Sequence, residues 1–188
     1  MTESWRCFVA APISASLGAS LAAAVEPWRF HPALRWAAPE SWHLTLAFLG
    51  WIDPGTVSAA RAKVAGIARR HEPMRLETGG IGAFPSASRA RVVWYGVDDA
   101  DGRLAALAAD LAASLELEPS SPFRAHVTVA RVRRGSADLR DWVSKASASA
   151  PSATLAVDGL DLMRSHLGGG APGYETLASF ELGGADHG

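Results

Sequence analysis

Two tetrapeptides of the same kind, His-aliphatic-Thr-aliphatic, occur at residues 43–46 and 126–129, which are 83 residues apart. In an extended strand, the side chains of residues i and i+2 point to the same face. Each tetrapeptide therefore presents one imidazole and one hydroxyl together, while its two aliphatic side chains face a core. Two such strands facing each other would surround one small cavity with four polar groups, those of His43, Thr45, His126 and Thr128.

This set of groups suits acid–base chemistry at a phosphodiester. Hydrolysis needs a base that takes a proton from water and an acid that protonates the departing oxygen. The ordinary pKa of histidine, near 6.5, serves both tasks, and each proton transfer accelerates a reaction by about 10²–10⁴-fold. Threonine hydroxyls can donate to the non-bridging oxygens, where negative charge develops. One neutral and one protonated histidine thus support in-line displacement without a metal.

Two other interpretations of the histidines compete with this one. A single His-x-Thr in a strand is most often an ordinary half-buried pair, although two copies of the same pattern are much less expected by chance. Histidine is also a common zinc ligand, but no Asp, Glu or Cys near either tetrapeptide completes a set of three or four ligands. We therefore predict a shared site that uses no metal and no cofactor.

Composition limits the class of protein. The 188 residues are 48% hydrophobic, enough for one domain with a sizeable core. The 18 basic and 19 acidic residues give a net charge of −1, whereas proteins that wrap long nucleic acid carry a positive excess, so an RNA partner would be contacted at an end. Cys7 is the only cysteine, which excludes an intrachain disulfide. With no apolar run of membrane-spanning length and no signal-peptide layout, we expect a cytoplasmic monomer without a membrane partner.

Hydrophobic periodicity and capping residues predict alternating strands and helices. The predicted strands cover residues 5–11, 42–49, 74–78, 92–97, 123–132, 154–163 and 174–182. The predicted helices cover residues 14–25, 54–71, 101–117 and 138–147. Segments expected to be irregular or turns are 28–40, 79–85 and the glycine-rich 168–173. This order favours an α+β fold of two similar halves over a doubly wound parallel sheet.

With both tetrapeptides in view, the chain resembles the two-histidine phosphoesterase superfamily. Within it, the chain is most similar to the RNA 2′,3′-cyclic phosphodiesterases of the 2′-5′ RNA ligase family. The similarity covers nearly the whole chain, in order. The matching segments are residues 6–10, 34–36, 39–50, 82–85, 91–94, 122–131 and 162–165.

The resemblance implies a fold, an activity and residue roles. The fold is α+β, bilobal and pseudo-symmetric: two mainly antiparallel sheets flank a central cleft, helices lie on the outside, and one His-x-Thr strand belongs to each lobe. We expect a single domain over 1–183 and a flexible tail over 184–188. The activity is metal-independent opening of a terminal 2′,3′-cyclic phosphate on RNA, which leaves a 2′-phosphomonoester. His43 would be the general acid that protonates the departing 3′ oxygen, and His126 the base that activates water.

The phosphate would be held by Thr45, Thr128 and, by the same resemblance, Arg131. Arg131 lies five residues after His126, so in an ideal strand it faces away from the cavity. Either a bulge or the strand end turns it back, or it is a solvated charge on an exposed edge. Arg131 belongs to an acid-free window, residues 119–137, whose other arginines are Arg124, Arg133 and Arg134. Such a window predicts a basic patch that attracts RNA termini.

Aromatic side chains near the tetrapeptides are candidates for stacking on a nucleobase, as is common in single-stranded RNA recognition. The odd spacing of Phe48 from His43 places it in the core. Phe123 stands at the entrance of its strand, where register is loose, and is the candidate nucleobase contact. Trp36, Trp42 and Trp94 are expected to be packing residues.

Three functions remain open from the sequence. The leading one is hydrolysis of terminal cyclic phosphate on RNA, with reverse 2′-5′ ligation as a minor activity. The second keeps the site but changes the substrate to another cyclic or 2′-5′-linked nucleotide, for example ADP-ribose 1″,2″-cyclic phosphate. The third is a non-catalytic module that binds RNA or a small nucleotide. Two intact tetrapeptides argue against the third.

Overall fold

The structure, a computed structural model, describes residues 3–166 and 173–183. The predicted tail and residues 168–172 of the predicted glycine-rich loop lie outside these ranges. The helices are α1 (Ala15–Val25), α2 (Pro54–Ala68), α3 (Arg103–Ser114) and α4 (Arg140–Ala148). The strands are β1 (Trp5–Pro12), β2 (Leu34–Trp36), β3 (His43–Ile52), β4 (Met74–Phe84), β5 (Val92–Asp98), β6 (His126–Val132), β7 (Ala153–Val157), β8 (Gly159–His166) and β9 (Gly173–Glu181). None of these helices has the length and apolarity needed to cross a bilayer.

The strands pair only in antiparallel fashion within the described residues, in the order β7-β4-β5-β6-β3-β1-β8-β9, with β2 added beside β6. One half of this order contains β3 and the other contains β6, so each half carries one His-x-Thr tetrapeptide. The halves join where β3 meets β6, at the single residue pair Leu44 and Val127. The predicted α+β fold with antiparallel pairing is therefore confirmed, and the two predicted sheets are the halves of one continuous sheet of nine strands within the described residues.

The aliphatic residues of both tetrapeptides face the hydrophobic core, as their alternation predicts. Leu44, Leu46, Val127 and Val129 are buried, and they belong to one core cluster with residues of α1, α2 and α3. The histidines and threonines alternate with them and are only half-buried. The helices thus cover one face of the β3–β6 region, and the polar groups open onto the other.

Local signals for α2 act as expected from the sequence. The Asp53 carboxylate caps the helix by accepting hydrogen bonds from the backbone N–H groups of Gly55, at 2.8 Å, and Thr56, at 3.1 Å. Pro54 occupies the first turn, where its missing N–H costs nothing. The predicted apolar stripe is buried throughout, at Val57, Ala60, Val64, Ile67 and Ala68.

The prediction of a turn over 79–85 is wrong, because β4 runs on to Phe84. Gly80 has a φ of +65° and lies at a bulge against β5, which explains why glycine is needed there without a turn. Gly82 faces the indole of Trp94, and a β-carbon at residue 82 would overlap that ring. The glycines therefore admit a bulge and a large neighbouring side chain inside a strand.

Three further elements differ from the sequence prediction. The irregular segment 28–40 contains β2, which is too short to show periodicity. The strand predicted over 154–163 is two strands separated at Asp158, because β7 pairs with β4 in one half and β8 pairs with β1 in the other. The strand predicted from Phe123 begins only at His126.

Candidate active site

The cleft between β3 and β6 has a volume of about 430 Å³ and is lined by both histidines and both threonines of the tetrapeptides. The structure thus brings together His43, Thr45, His126 and Thr128, the four groups expected to share a cavity. Arg131 lines the same cleft. The alternation of side chains along each strand explains the positions of the two histidines and the two threonines. It does not explain how Arg131 reaches the cleft.

The two imidazoles are oriented by the same backbone contact. Nδ1 of His43 lies 2.8 Å from the carbonyl oxygen of Ser41, and Nδ1 of His126 lies 2.6 Å from that of Arg124. A carbonyl oxygen can only accept a hydrogen bond, so each Nδ1 carries a proton and donates it. Nε2 is therefore the atom that gains or loses a proton in each imidazole.

Aromatic rings enclose both imidazoles. Phe8 stacks on His43 at a centroid distance of 4.9 Å, and the ring of Tyr174 meets the same imidazole edge-on at 4.9 Å. Phe84 meets His126 edge-on, also at 4.9 Å. These contacts restrict rotation of the imidazoles, and they remove water from around them.

The surroundings favour the neutral form of both imidazoles. Burial is the main cause that lowers the pKa of His43, and the positive charges of Arg131 and protonated His126 lower it further. Burial also lowers the pKa of His126, with added contributions from Arg124 and Arg131. The hydrogen bonds to the two carbonyls act in the opposite direction but do not reverse the shift.

Arg131 reaches the cleft because β6 contains a bulge. Thr128 pairs with Trp94 and Ala130 pairs with Val93, so that Val129 is an extra residue in β6. Val129 and Ala130 are consecutive yet both buried, which breaks the alternation of faces. The residues that follow change face, and Arg131 returns to the side of His126. Of the alternatives left open by the sequence, the bulge is the one that the structure contains.

A second bulge occupies the same place in β3. Ala10 pairs with Thr45 and Val9 pairs with Ala47, so that Leu46 is the extra residue. Phe48 consequently turns into the cleft and is 64% exposed. The prediction that Phe48 belongs to the core is wrong, because that prediction assumed an unbroken alternation from His43.

Phe123 lies outside the cleft proper. It precedes β6, packs half-buried against the core and lines a neighbouring cavity of about 890 Å³. That cavity adjoins the cleft at Thr45, Phe48 and His126, which line both. A role for Phe123 in contacting a nucleobase stays a prediction. Trp42 is buried, and Trp36 and Trp94 are half-buried, consistent with packing.

Only one arginine of the predicted basic patch lines the cleft. Arg124 places its guanidinium over Phe84, at 5.4 Å from the ring centroid, and Arg133 donates through Nε to the Leu34 carbonyl at 3.0 Å. Arg134 is exposed and lines neither cavity.

Two arginines that the sequence did not single out line the cleft, Arg6 on β1 and Arg35 on β2. Arg35 pairs directly with Arg131 across β2 and β6. No Asp or Glu of the described ranges lines this cleft, so it presents positive charge to a ligand. Neither arginine has a local sequence signal, since the pairing of distant strands brings both to the site.

The remaining histidines with described positions lie elsewhere. His71 pairs with Asp110 at 2.9 Å and His166 with Glu175 at 3.0 Å, and neither histidine lines the cleft. Cys7 is buried, which raises the pKa of its thiol. Over residues 3–166 and 173–183, no three or more His, Cys, Asp and Glu side chains lie close enough together to hold a metal ion.

This fold and site define a class of phosphoesterase in which two antiparallel halves each supply one His-x-Thr strand to a shared cleft. The sequence model of the 2′-5′ RNA ligase superfamily matches residues 17–169. The chain belongs to this family, which confirms the resemblance recognised from the sequence.

Individual relatives agree with this assignment. The chain is 34% identical, over 84% of its length, to an RNA 2′,3′-cyclic phosphodiesterase of Geobacillus stearothermophilus, of which it spans 50%. It is 29% identical, over 94% of its length, to the enzyme of the same name from Archaeoglobus fulgidus, of which it spans 99%. The crystal structure of TT0787 from Thermus thermophilus superposes with a TM-score of 0.75 at 26% identity, covering 95% of this chain and 98% of that one.

Proposed function

We propose that the protein hydrolyses the terminal 2′,3′-cyclic phosphate of RNA to a 2′-phosphomonoester without a metal ion. The observation that carries the proposal is the pair of imidazoles in one positively charged cleft, each with Nδ1 fixed by a carbonyl and Nε2 left to titrate. The names of the relatives from G. stearothermophilus and A. fulgidus support the choice of substrate.

In the proposed reaction, Nε2 of neutral His126 accepts a proton from water as the water oxygen bonds to phosphorus. The bond between phosphorus and the 3′ oxygen breaks, and protonated His43 gives its proton to that oxygen. The 2′ ester bond remains, His43 ends neutral and His126 ends protonated. The next cycle requires one proton to leave His126 and one to reach His43. The charge of Arg124 adds to burial in lowering the pKa of His126 and favours the neutral form that a base requires.

The other cleft groups would stabilise the charge that develops on phosphorus. The Thr45 and Thr128 hydroxyls share a face with the imidazoles and can donate to the non-bridging oxygens. Arg131 would add a charge-assisted hydrogen bond to the same oxygens. Strain in the five-membered cyclic phosphate already raises the energy of the substrate, so these groups and two proton transfers suffice. By microscopic reversibility, a 5′-hydroxyl in place of water would give 2′-5′ ligation as a minor reverse reaction.

The test uses an oligoribonucleotide with a 2′,3′-cyclic phosphate end, incubated in EDTA with the wild type, His43→Ala and His126→Ala. We expect conversion to the 2′-phosphate by the wild type and a loss of at least about 10²-fold in each variant. His166→Ala, which removes an exposed imidazole outside the cleft, serves as the matched control and should retain activity.

Two outcomes would contradict the proposal in different ways. Tight binding of the oligonucleotide without turnover would favour a non-catalytic binding module. Formation of a 3′-phosphate would keep the hydrolysis but refute the assignment of His43 as the acid that protonates the 3′ oxygen.

A further inference from the structure

A row of four side chains crosses the sheet on the His43 side of the cleft. Trp51 on β3 pairs with Arg6 on β1, Arg6 pairs with Ser165 on β8, and Ser165 pairs with Tyr174 on β9. Directly opposed residues in neighbouring antiparallel strands share a face. Since Arg6, Ser165 and Tyr174 all line the cleft, the row continues the floor of the cleft outward to Trp51.

Two polar groups in this row lack the partners that such groups normally have. Ser165 is only 6% exposed, yet its hydroxyl makes no hydrogen bond within the described residues. Buried hydroxyls are nearly always paired, so an unpaired one that lines a cleft points to a missing ligand. Arg6 forms no ion pair with any acid of the described ranges.

The acidic residues near this row are engaged on the opposite side of the sheet. Glu3 and Glu175 both pair with Arg164, at 3.6 and 4.0 Å, and Glu175 also pairs with His166. Arg164 lies over the ring of Trp5, which packs against the core. The cleft side therefore keeps a positive charge that no described acid pairs, and an anion is the ligand that would satisfy both Arg6 and the Ser165 hydroxyl.

Exposed aromatic rings accompany these polar groups. Phe48 and Trp51 are 64% and 62% exposed, and both project from β3 on the face that carries Arg6. Within the described residues, the only other large hydrophobic side chain so exposed is Phe30. Rings that stack on successive bases, combined with arginine at the phosphates, are the usual means by which proteins hold single-stranded RNA.

The roles proposed for the two histidines determine on which side of the cleft the RNA strand continues. The 3′ oxygen that His43 protonates remains on the terminal ribose, so that ribose lies on the His43 side of phosphorus. The rest of the RNA strand is attached through the 5′ carbon of the same ribose, and it must leave the cleft on that side. Water enters from the opposite side, next to His126.

We infer that the nucleotides upstream of the cyclic phosphate lie along this row. The phosphodiester on the 5′ side of the terminal nucleotide is bound by Arg6 and by the Ser165 hydroxyl, and the preceding base stacks on Trp51. The inference rests on the proposed function, because the direction of the strand follows from the role of His43. It makes the end of an RNA chain, rather than a cyclic mononucleotide, the preferred substrate.

The test compares kcat/KM for a trinucleotide that ends in 2′,3′-cyclic phosphate with kcat/KM for 2′,3′-cyclic AMP. We expect the wild type to prefer the trinucleotide by about 10²-fold, as one stacked base and one phosphate contact of about tenfold each allow. Trp51→Ala and Arg6→Gln should each lower this ratio by roughly tenfold. Phe30→Ala and Arg70→Gln remove an exposed ring and an exposed arginine that line neither cavity, and they should leave the ratio unchanged.

Ser165→Ala tests the buried hydroxyl without changing the volume of the side chain much. We expect it to raise KM for the trinucleotide several-fold and to change kcat little, because the contact is made equally before and during the reaction. A fall in kcat with unchanged KM would overturn the role given to this hydroxyl.

Failure of the inference can be distinguished from failure of the proposed function. If the wild type hydrolyses both substrates with equal kcat/KM and Trp51→Ala leaves the ratio unchanged, the inference is overturned while the proposed function stands. If Arg124→Gln lowers the ratio and Arg6→Gln does not, the strand leaves on the His126 side and the inference is again overturned. If the wild type hydrolyses neither substrate, the proposed function fails, and the inference fails with it.

Discussion

Phe48 and Arg131 occupy equivalent positions in the two halves of the protein. Each lies five residues after a cleft histidine, and a bulge three residues after that histidine turns each of them into the cleft. Pseudo-symmetry thus extends from the tetrapeptides to the irregularity that follows them. The half that contains β3 has an exposed aromatic ring at this position, and the half that contains β6 has a positive charge. A ligand therefore meets different chemistry on the two sides of the cleft.

The lowered pKa values of the two histidines predict a pH–rate profile displaced toward acid. The base must be unprotonated, so kcat/KM rises with pH through its pKa. The acid must be protonated, so kcat/KM falls with pH through its pKa. Because burial and positive charge lower the pKa of both groups, we expect the bell-shaped profile of the free enzyme to centre below about pH 6.5. A steady-state profile with 2′,3′-cyclic AMP measures this, and a centre clearly on the alkaline side of the ordinary histidine pKa would contradict it.

Replacing Arg131 should alter both the rate and its pH dependence. In Arg131→Gln, we expect kcat/KM to fall by about 10²-fold, as when one donor to a developing anion is removed. Both limbs of the profile should also move to higher pH, because the charge of Arg131 lowers the pKa of His43 and of His126.

Two companion variants separate these effects. Arg131→Lys keeps the charge but not the two-pronged geometry of the guanidinium, so it should lose rate while the limbs stay in place. Arg134→Gln removes a charge outside both cavities and should change neither. Limbs that move equally in the Lys and Gln variants would show that the charge is not the cause.

Gly82→Ala should disturb the His126 side of the cleft from a distance. A β-carbon at residue 82 overlaps the ring of Trp94, which packs against Phe84 at 5.1 Å. Phe84 in turn holds His126 edge-on. We expect destabilisation of about 1–3 kcal/mol from overpacking and a loss of kcat, measured by denaturant unfolding and by turnover. Gly66→Ala, where nothing lies near the added carbon, is the control and should show neither effect.

Removal of the α2 cap should affect stability alone. Asp53→Ala deletes the acceptor for two backbone N–H groups at the start of the helix, which typically costs about 0.5–2 kcal/mol. Asp53 does not line the cleft, so kcat/KM should be nearly unchanged. Urea unfolding and turnover, measured on the same sample, test this prediction. A loss of activity in the absence of unfolding would mean that α2 positions the cleft more directly than its place in the core suggests.

The sequence predicts those features of the structure that depend on local and periodic patterns of residues. Alternation placed the histidines and threonines on one face, and helical spacing identified the buried stripe of α2, because both patterns follow from backbone geometry alone. The bulges at Leu46 and Val129 do not follow in this way. A bulge depends on how a strand pairs with its neighbours, and nothing within residues 43–48 distinguishes a bulged strand from a regular one.

Residues that sheet pairing brings to the site are also beyond local patterns. Arg6, Ser165 and Tyr174 meet because β1, β8 and β9 are neighbours in the sheet, although more than 150 positions separate the first from the others in the sequence. Only knowledge of the strand order can place them together. Family resemblance could point to their segments, but not to the row that they form.

The single residue pair that joins β3 to β6 has a mechanical consequence. Leu44 and Val127 each directly follow a cleft histidine, so the two imidazoles are anchored beside the only backbone pairing between β3 and β6. If one strand rotates against the other about this pair, the groups beside the pair move least. Any rocking of β3 against β6 about this pair would therefore change the outer reaches of the cleft more than the separation of the imidazoles, so the outer cleft could adapt to a ligand while the spacing required for proton transfer is kept.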